Sequence, residues 1–397
     1  MTDTPKQEIK LFYCYAREDK PLRDELEKHL SWLKRRYQLT NWHDREILPG
    51  EEWEKAIDTH LNSAHLILLL ISPDFMASDY CYGKELQRAL ERHKAGTCRV
   101  VPILLRPTFW EDAPFSGLQL LPANAKPVTS WRDRDEAFQD VVTEINRTIK
   151  DLLISFKTKE DWLDEAETYY DLKRYEEALN ALEQAIRLDP GYAKAYHNKS
   201  LVLHDLKLYE KALVACERAI RLDPDYTPAH YNKGYILNGL NRYEEALAAL
   251  EQAIRLDPNY AGAYTSKGYV LNNLKRHEEA LTAFEQGIYL KSNDAKAYYG
   301  KGVALGALKR YEEALAAYEQ VIRLDPTNAR AYYGKGTALN ILKRYENALA
   351  ACEQAIRFDP KYADAYDGKG IVLGALKHYE EAEEAFEKAR QLRYRNP

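Results

Sequence analysis

Residues 295–326 read AKAYYGKGVALGALKRYEEALAAYEQVIRLDP. Two amphipathic helical patterns are divided by the turn LKRYEE at 308–313. Asp325-Pro326 closes the second pattern, because proline supplies no backbone N–H and clashes with the turn before it. The stretch therefore predicts a helical hairpin. Small residues, Gly302 in the first helix and Ala314 in the second, let the pair approach, while Tyr298, Leu305 and Tyr318 fill the space between hairpins. One hairpin cannot bury its apolar stripe alone, so neighbours must stack on it. The sequence supplies them. Asp-Pro recurs at 189/190, 223/224, 257/258, 325/326 and 359/360, with Lys291-Ser292 in the remaining slot, which sets a period of 34 residues. Alanine recurs at 178, 212, 246, 280, 314, 348 and 382, and a ring at 162, 196, 230, 264, 298, 332 and 366. Cys216 and Cys352 stand four periods apart and read as equivalent packing positions.

The 34-residue length, the glycines at 234, 268, 302, 336 and 370, the recurring alanine and the terminal proline resemble the tetratricopeptide repeat (TPR). The resemblance implies an all-α solenoid of about seven hairpins over residues 161–394, with first helices lining a concave face that takes a peptide, protein or small-molecule ligand. Concave positions carried over from that family are Tyr231, Tyr235, Asn238, Tyr269, Asn272, Tyr299, Tyr333 and Asn340, rings and amides that suit a peptide backbone or a planar ligand. The competing reading is that each tyrosine only pads its neighbouring repeat. Leu201, Tyr235 and Tyr269 occupy slots where a terminal-carboxylate clamp needs asparagine, which argues against a chaperone tail. Gly287 and Lys291-Ser292 loosen the exit of the fourth repeat and predict a bend there. Glu383 and Glu384 make the last helix polar enough to face water.

The N-terminal half alternates short apolar runs with helical patterns: strands at 9–15, 39–42, 65–71 and 99–105, and helices at 19–36, 52–62, 78–94 and 134–152. That order predicts a flavodoxin-like parallel sheet with helices on both faces. LILLLIS and RVVPILL are continuously apolar, as strands covered on both sides are. A ligand site belongs at the C-terminal strand ends, Tyr15–Asp19, Trp42–Glu51 and Ser72–Glu85. Neither GxGxxG after the first strand nor GxxxxGK[ST] is present, so the usual dinucleotide fingerprint and the P-loop are excluded.

IKLFYCYAREDK, NWHDREILPGEEW and SPDFMASDYCYGKEL, in that order, resemble the first strand, the BB loop and the acidic helix of TIR domains, and PVTSWRDRDEAF resembles bacterial members. The expected division is a tail at 1–8, a TIR domain at 9–153, a linker at 154–160, the repeats and a tail at 395–397. The family contains signalling adaptors and enzymes that hydrolyse NAD. The resemblance to the enzymatic members implies a catalytic glutamate at Glu85 and an NAD site formed by Tyr15, Ala16, Arg17, Trp42, Asp44, Tyr80, Cys81 and Tyr82. It also implies self-association through Arg45, Ile47, Leu48, Pro49 and Gly50, a loop whose Pro-Gly pair by itself reads only as a tight turn. Several active relatives carry tryptophan where this chain has Cys81. Ser78 is an expected N-cap, and seven residues, about two α-helical turns, bring Glu85 to the same face. The bland alternative is a solvated helix glutamate.

NAD enters as substrate, and no resident cofactor or metal is expected. The natural hypothesis is a sensor and effector in immune or anti-phage signalling that releases nicotinamide and ADP-ribose or a cyclic isomer. Its rival is a non-enzymatic scaffold for protein–protein interaction. A formal charge of −5 argues against nucleic acid or acidic membranes as partners. The absence of a long apolar run and of a secretory signal predicts a cytoplasmic protein. Five cysteines without CxxC spacing suggest neither a disulfide framework nor a zinc site.

Overall fold

The computed structural model describes residues 8–42 and 53–395, with the side chains of Trp53, Glu54 and Arg395 outside that description. The chain divides into two compact units, Met1–Lys157 and Thr158–Pro397.

Among the described residues, the first unit holds four parallel strands: β1 (Ile9–Tyr15), β2 (Leu39–Trp42), β3 (Leu66–Ile71) and β4 (Arg99–Leu104), in the order β2-β1-β3-β4. Every residue of β3 is buried, which explains its unbroken apolar run. Helices α1 (Lys20–Tyr37) and α5 (Arg134–Phe156) cover one face through Leu22, Leu26, Leu30, Leu33, Phe138, Val141 and Ile145. On the other face lie α2 (Trp53–Ser63), α3 (Pro73–Ala77) and α4 (Leu86–Lys94), packed through Ile57, Leu61, Phe75, Leu86 and Ala89. Tyr15 pairs with Leu70 and Ile71 with Leu104, so β1, β3 and β4 end nearly level. Their ends form one rim.

The helix expected at 78–94 is not continuous. It divides into a π-helical turn at Asp79–Glu85 and α4, and a short separate helix, α3, precedes it. Ser72 caps α3 by accepting the Phe75 N–H at 3.1 Å, and Ser78 restarts the chain by accepting the Cys81 N–H at 3.2 Å. The i→i+5 bond from Leu86 N–H to Cys81 O widens the turn, so the α-helical count from Ser78 to Glu85 does not hold. The first-strand exit also differs from expectation, with a short 3-10 turn at Arg17–Asp19 before α1.

The second unit is a run of hairpins: α6 (Lys159–Asp171) with α7 (Tyr175–Leu188), α8 (Ala193–Asp205) with α9 (Tyr209–Leu222), α10 (Thr227–Gly239) with α11 (Tyr243–Leu256), and α12 (Ala261–Asn273) with α13 (His277–Leu290). It continues with α14 (Ala295–Ala307) and α15 (Tyr311–Leu324), α16 (Ala329–Ile341) and α17 (Tyr345–Phe358), α18 (Ala363–Ala375) and α19 (Tyr379–Arg395). Each hairpin turn closes the same way: Arg310 N–H reaches Leu305 O at 2.9 Å and Lys309 N–H reaches Gly306 O at 3.0 Å, a paired C-cap that places Lys309 at φ 62°.

The glycines are where helices meet. A Cβ on Gly302 would lie 2.7 Å from the Tyr318 ring, and one on Gly334 in the next repeat equally close to the same ring. Phe284 is held likewise between Gly268 and Gly300. The expected bend after repeat four is not found locally. Lys291 caps α13 at φ −141° and ψ 89°, close to the −136° and 95° of Asp257 one repeat earlier, and Gly287 instead leaves room for the Thr265 hydroxyl. That hydroxyl donates to Asp294, which itself caps α14. Glu383 and Glu384 are exposed.

Candidate functional site

The level ends of β1 and β3 open into a cavity of about 710 Å³ lined by residues including Phe12, Tyr15, Ala16, Arg17, Lys20 and Trp42 from one side. Asp74, Tyr80, Cys81 and Glu85 complete it from the segment that follows β3. Glu85 is only 7% exposed. It is not a solvated helix glutamate. The π turn rotates it inward, while its neighbours Lys84 and Gly83 face solvent.

The Cys14 thiol, fully buried in β1, donates to Glu85 Oε2 at 2.8 Å. Burial, with Cys81 and the Glu85 carboxylate adding to it, pushes the Cys14 thiol well up and keeps its proton in place as that donor. Cys81 Sγ approaches the Tyr15 carbonyl at 3.4 Å, tying the π turn to the end of β1. Trp42 lies flat between Phe12 and His60, with ring centroids 5.5 and 4.3 Å away. Tyr15 is gripped by Arg23, whose guanidinium sits 5.2 Å from its ring centre and 3.4 Å from its hydroxyl. Arg17 is exposed at the cavity mouth and has no ion-pair partner among the described residues.

Of the residues expected to hold NAD, Tyr15, Ala16, Arg17, Trp42, Tyr80 and Cys81 line the cavity with Glu85. Tyr82 does not: it packs against the core beneath α2 and α4. Asp44 and the loop residues Arg45, Ile47, Leu48, Pro49 and Gly50 lie outside the described residues.

Sequence reasoning missed the ionic cluster behind the cavity. Asp19, 1% exposed, accepts from Ser72 Oγ and from Arg106 Nε at 2.9 Å, and Arg106 also pairs with Asp74. Burial raises the Asp19 carboxyl against the lowering pull of Ser72 and Arg106. The cluster ties the exits of β1, β3 and β4 together. Its signal in the sequence was a polar residue shortly after each of three apolar runs.

In the second unit a separate cavity of about 550 Å³ is lined by Tyr235 and Asn238 of α10, Tyr269 of α12, Lys296 and Tyr299 of α14 and Arg330 of α16, all on first helices. Tyr231, Asn272, Tyr333 and Asn340 do not line it. Tyr231 and Tyr333 stand edge-on to Tyr260 and Tyr362, and Asn272 Nδ2 donates to Gly300 O at 3.3 Å, so these pad or staple neighbouring repeats. Among the described residues no group of three or more His, Cys, Asp or Glu is placed to hold a metal, and no helix is long and apolar enough to cross a membrane. All five cysteines are free thiols.

Residues 11–150 match the family model described as TIR domain. Residues 163–227, 227–260, 249–282, 299–363 and 363–394 match models described as tetratricopeptide repeat. The chain therefore belongs to the proteins that join a TIR domain to tetratricopeptide repeats, an architecture that supports a role in signalling or protein interaction. Among curated proteins it is 50% identical over 135 residues to the uncharacterized protein y4lF of Sinorhizobium fredii, a match covering 34% of this chain and 42% of that protein. The chain thus spans less than half the length of that relative. Among solved structures, YrrB, described as a TPR protein with an unusual peptide-binding site, is 27% identical over 50% of this chain and 98% of its own, at a TM-score of 0.41. The APC/C hetero-tetramer Cut9-Hcn1 matches at 18% identity and a TM-score of 0.51, covering 54% of this chain and 43% of that one, a likeness of fold.

Proposed function

We propose that the TIR domain hydrolyses NAD to nicotinamide and ADP-ribose or its cyclic isomer when TIR domains self-associate, and that the repeats recognise the partner that brings them together. The observation that carries this reading is the placement of Glu85, a carboxylate held at the wall of a cavity large enough for a nucleotide. NAD presents a nicotinamide that is already a cation and leaves as a neutral ring, so no strong general acid is needed. The bond between ribose C1′ and the ring nitrogen breaks with its electron pair on nicotinamide. Positive charge passes to the ribose, where Glu85 stabilises it more strongly than it does the ground state. A water oxygen then bonds to C1′ and releases a proton, or a hydroxyl oxygen of the same molecule bonds to C1′ and releases its proton, which gives a cyclic product. Arg17 and Lys20 at the cavity mouth suit the diphosphate, and the Trp42 side offers an aromatic wall.

A TIR domain with this activity fits an immune or anti-phage effector. Chromatography of NAD products from the wild type and Glu85→Gln at several protein concentrations tests the reading. Nicotinamide release that rises more than linearly with concentration and falls at least about a hundredfold in the variant is the expected result. No nicotinamide at any concentration, or under deliberate clustering, would favour the scaffold.

A further inference from the structure

Glu85 stands at the wall of the TIR cavity, and a residue that grips it stands behind that wall. Cys14 lies in β1 between Tyr13 and Tyr15, which both reach the cavity lining, whereas Cys14 itself is fully buried. Its sulfur donates to Glu85 Oε2 at 2.8 Å and stands 3.8 Å from the carbonyl oxygen of Cys81. That carbonyl already accepts the Leu86 N–H of the π turn, and the nearer, charged carboxylate is the stronger acceptor for the thiol proton. Cys81 Sγ in turn meets the Tyr15 carbonyl at 3.4 Å. Two consecutive residues of β1 are thus tied to the π turn, and one of the ties ends on the carboxylate.

The surroundings of this tie are apolar: Phe12, Ala16, Leu69, Phe75 and Leu86 pack in the same cluster as Cys14. A carboxylate withdrawn from water needs donors, and without them turns outward or takes up a proton. Asp19, the other buried carboxylate of the rim, accepts from the Ser72 hydroxyl and is paired with Arg106, whose positive charge offsets its own. A thiol is a neutral and weak donor. It sets the place of one oxygen and leaves the negative charge for the cation that develops on the ribose. Cys14 does not act as a nucleophile, since it is buried behind the wall and burial keeps its proton on the sulfur.

The geometry points to Cys14 as a positioning residue for NAD cleavage, its S–H orienting Glu85 so that the carboxylate meets the ribose as the bond to nicotinamide breaks. This rests on the NAD-cleaving reading of the TIR domain. The test compares kcat and KM for NAD in the full chain at one high protein concentration, for the wild type, Cys14→Ala, Cys14→Ser and Cys98→Ala. Cys98 is a second buried thiol of the same core cluster. Cys14→Ala should lower kcat at least about tenfold with KM within about twofold, because the lost donor serves a charged group and touches no substrate. Cys14→Ser, which restores a donor, should recover most of the loss, and Cys98→Ala should match the wild type. Raman spectra of the S–H stretch supply a readout that needs no turnover: a component lowered in frequency by the bond to Glu85 should be missing in Cys14→Ser and move up in Glu85→Ala. That spectrum decides the matter if circular dichroism shows Cys14→Ala unfolded. Full activity in Cys14→Ala, equal losses in the alanine and serine variants, a change in KM alone, or an S–H band unmoved by Glu85→Ala would each overturn the role of Cys14. No nicotinamide from the wild type would overturn the NAD reading itself, and this inference with it.

Discussion

Gly302 and Tyr318 form a pair whose size balance can be tested directly. With a Cβ at position 302 placed 2.7 Å from the ring, Gly302→Ala forces the ring or the helix to move, at a cost of about 1–3 kcal/mol. Repeat one solves the same contact with Ala166 facing Leu182. The double variant Gly302→Ala with Tyr318→Leu should therefore recover part of the loss in urea unfolding, and strict additivity would speak against the pairing. His197 offers a second test. Buried against Tyr226, it is held down to about 4 from its ordinary 6.5 by burial alone. Between those values the unfolded chain takes up a proton that the folded chain refuses. The stabilisation is thus complete above pH 6.5 and is lost as pH falls toward 4, on the order of 3 kcal/mol. Thermal unfolding of His197→Gln should drop less between pH 7 and 4.5 than that of the wild type, and parallel curves would contradict the assignment.

At the scale of the element, the hairpin turns carry a repeated strain. Lys173, Lys207, Lys275, Lys309, Lys343 and Lys377 all have φ near 60°, as does Asn241. A side chain with a Cβ pays for this conformation, by up to about 1–2 kcal/mol. Lys309→Gly should raise the unfolding midpoint modestly, by the equivalent of up to about 1 kcal/mol after the added freedom of the unfolded chain is subtracted. A lower midpoint would mean that the lysine stem packs more than its exposure suggests. Elements were legible where the sequence states them repeatedly: each hairpin restates the pattern of the others, so one reading fixes them all. The π turn at Asp79–Glu85 was not legible, because DYCYGKE, though weak in helix formers, carries no local signal that separates a π turn from an α turn, and its wider turn goes with how Ser78 and Cys81 bond to the chain around them. Glu85 was found in the cavity for a reason the helical count did not supply.

For the whole molecule, the order of strands and helices followed from alternating runs, and the rim of the sheet was identified as the site from topology. What stayed hidden was long-range: Asp19 and Arg106 are 87 residues apart, and no local pattern announces that they meet behind the cavity. The groove showed the reverse. Its rings were visible one by one, yet only the structure separates Tyr235, Tyr269 and Tyr299, which line a cavity, from Tyr231 and Tyr333, which pack against their neighbours. The two units together suggest a division of labour, recognition by the repeats and chemistry at Glu85, and the chemistry is the claim on which the functional account turns. The direct measurement is nicotinamide released from NAD by the wild type and by Glu85→Gln, each at rising protein concentration. The account predicts release that climbs steeply with concentration and nearly vanishes in the variant. Equal release by both proteins would contradict it.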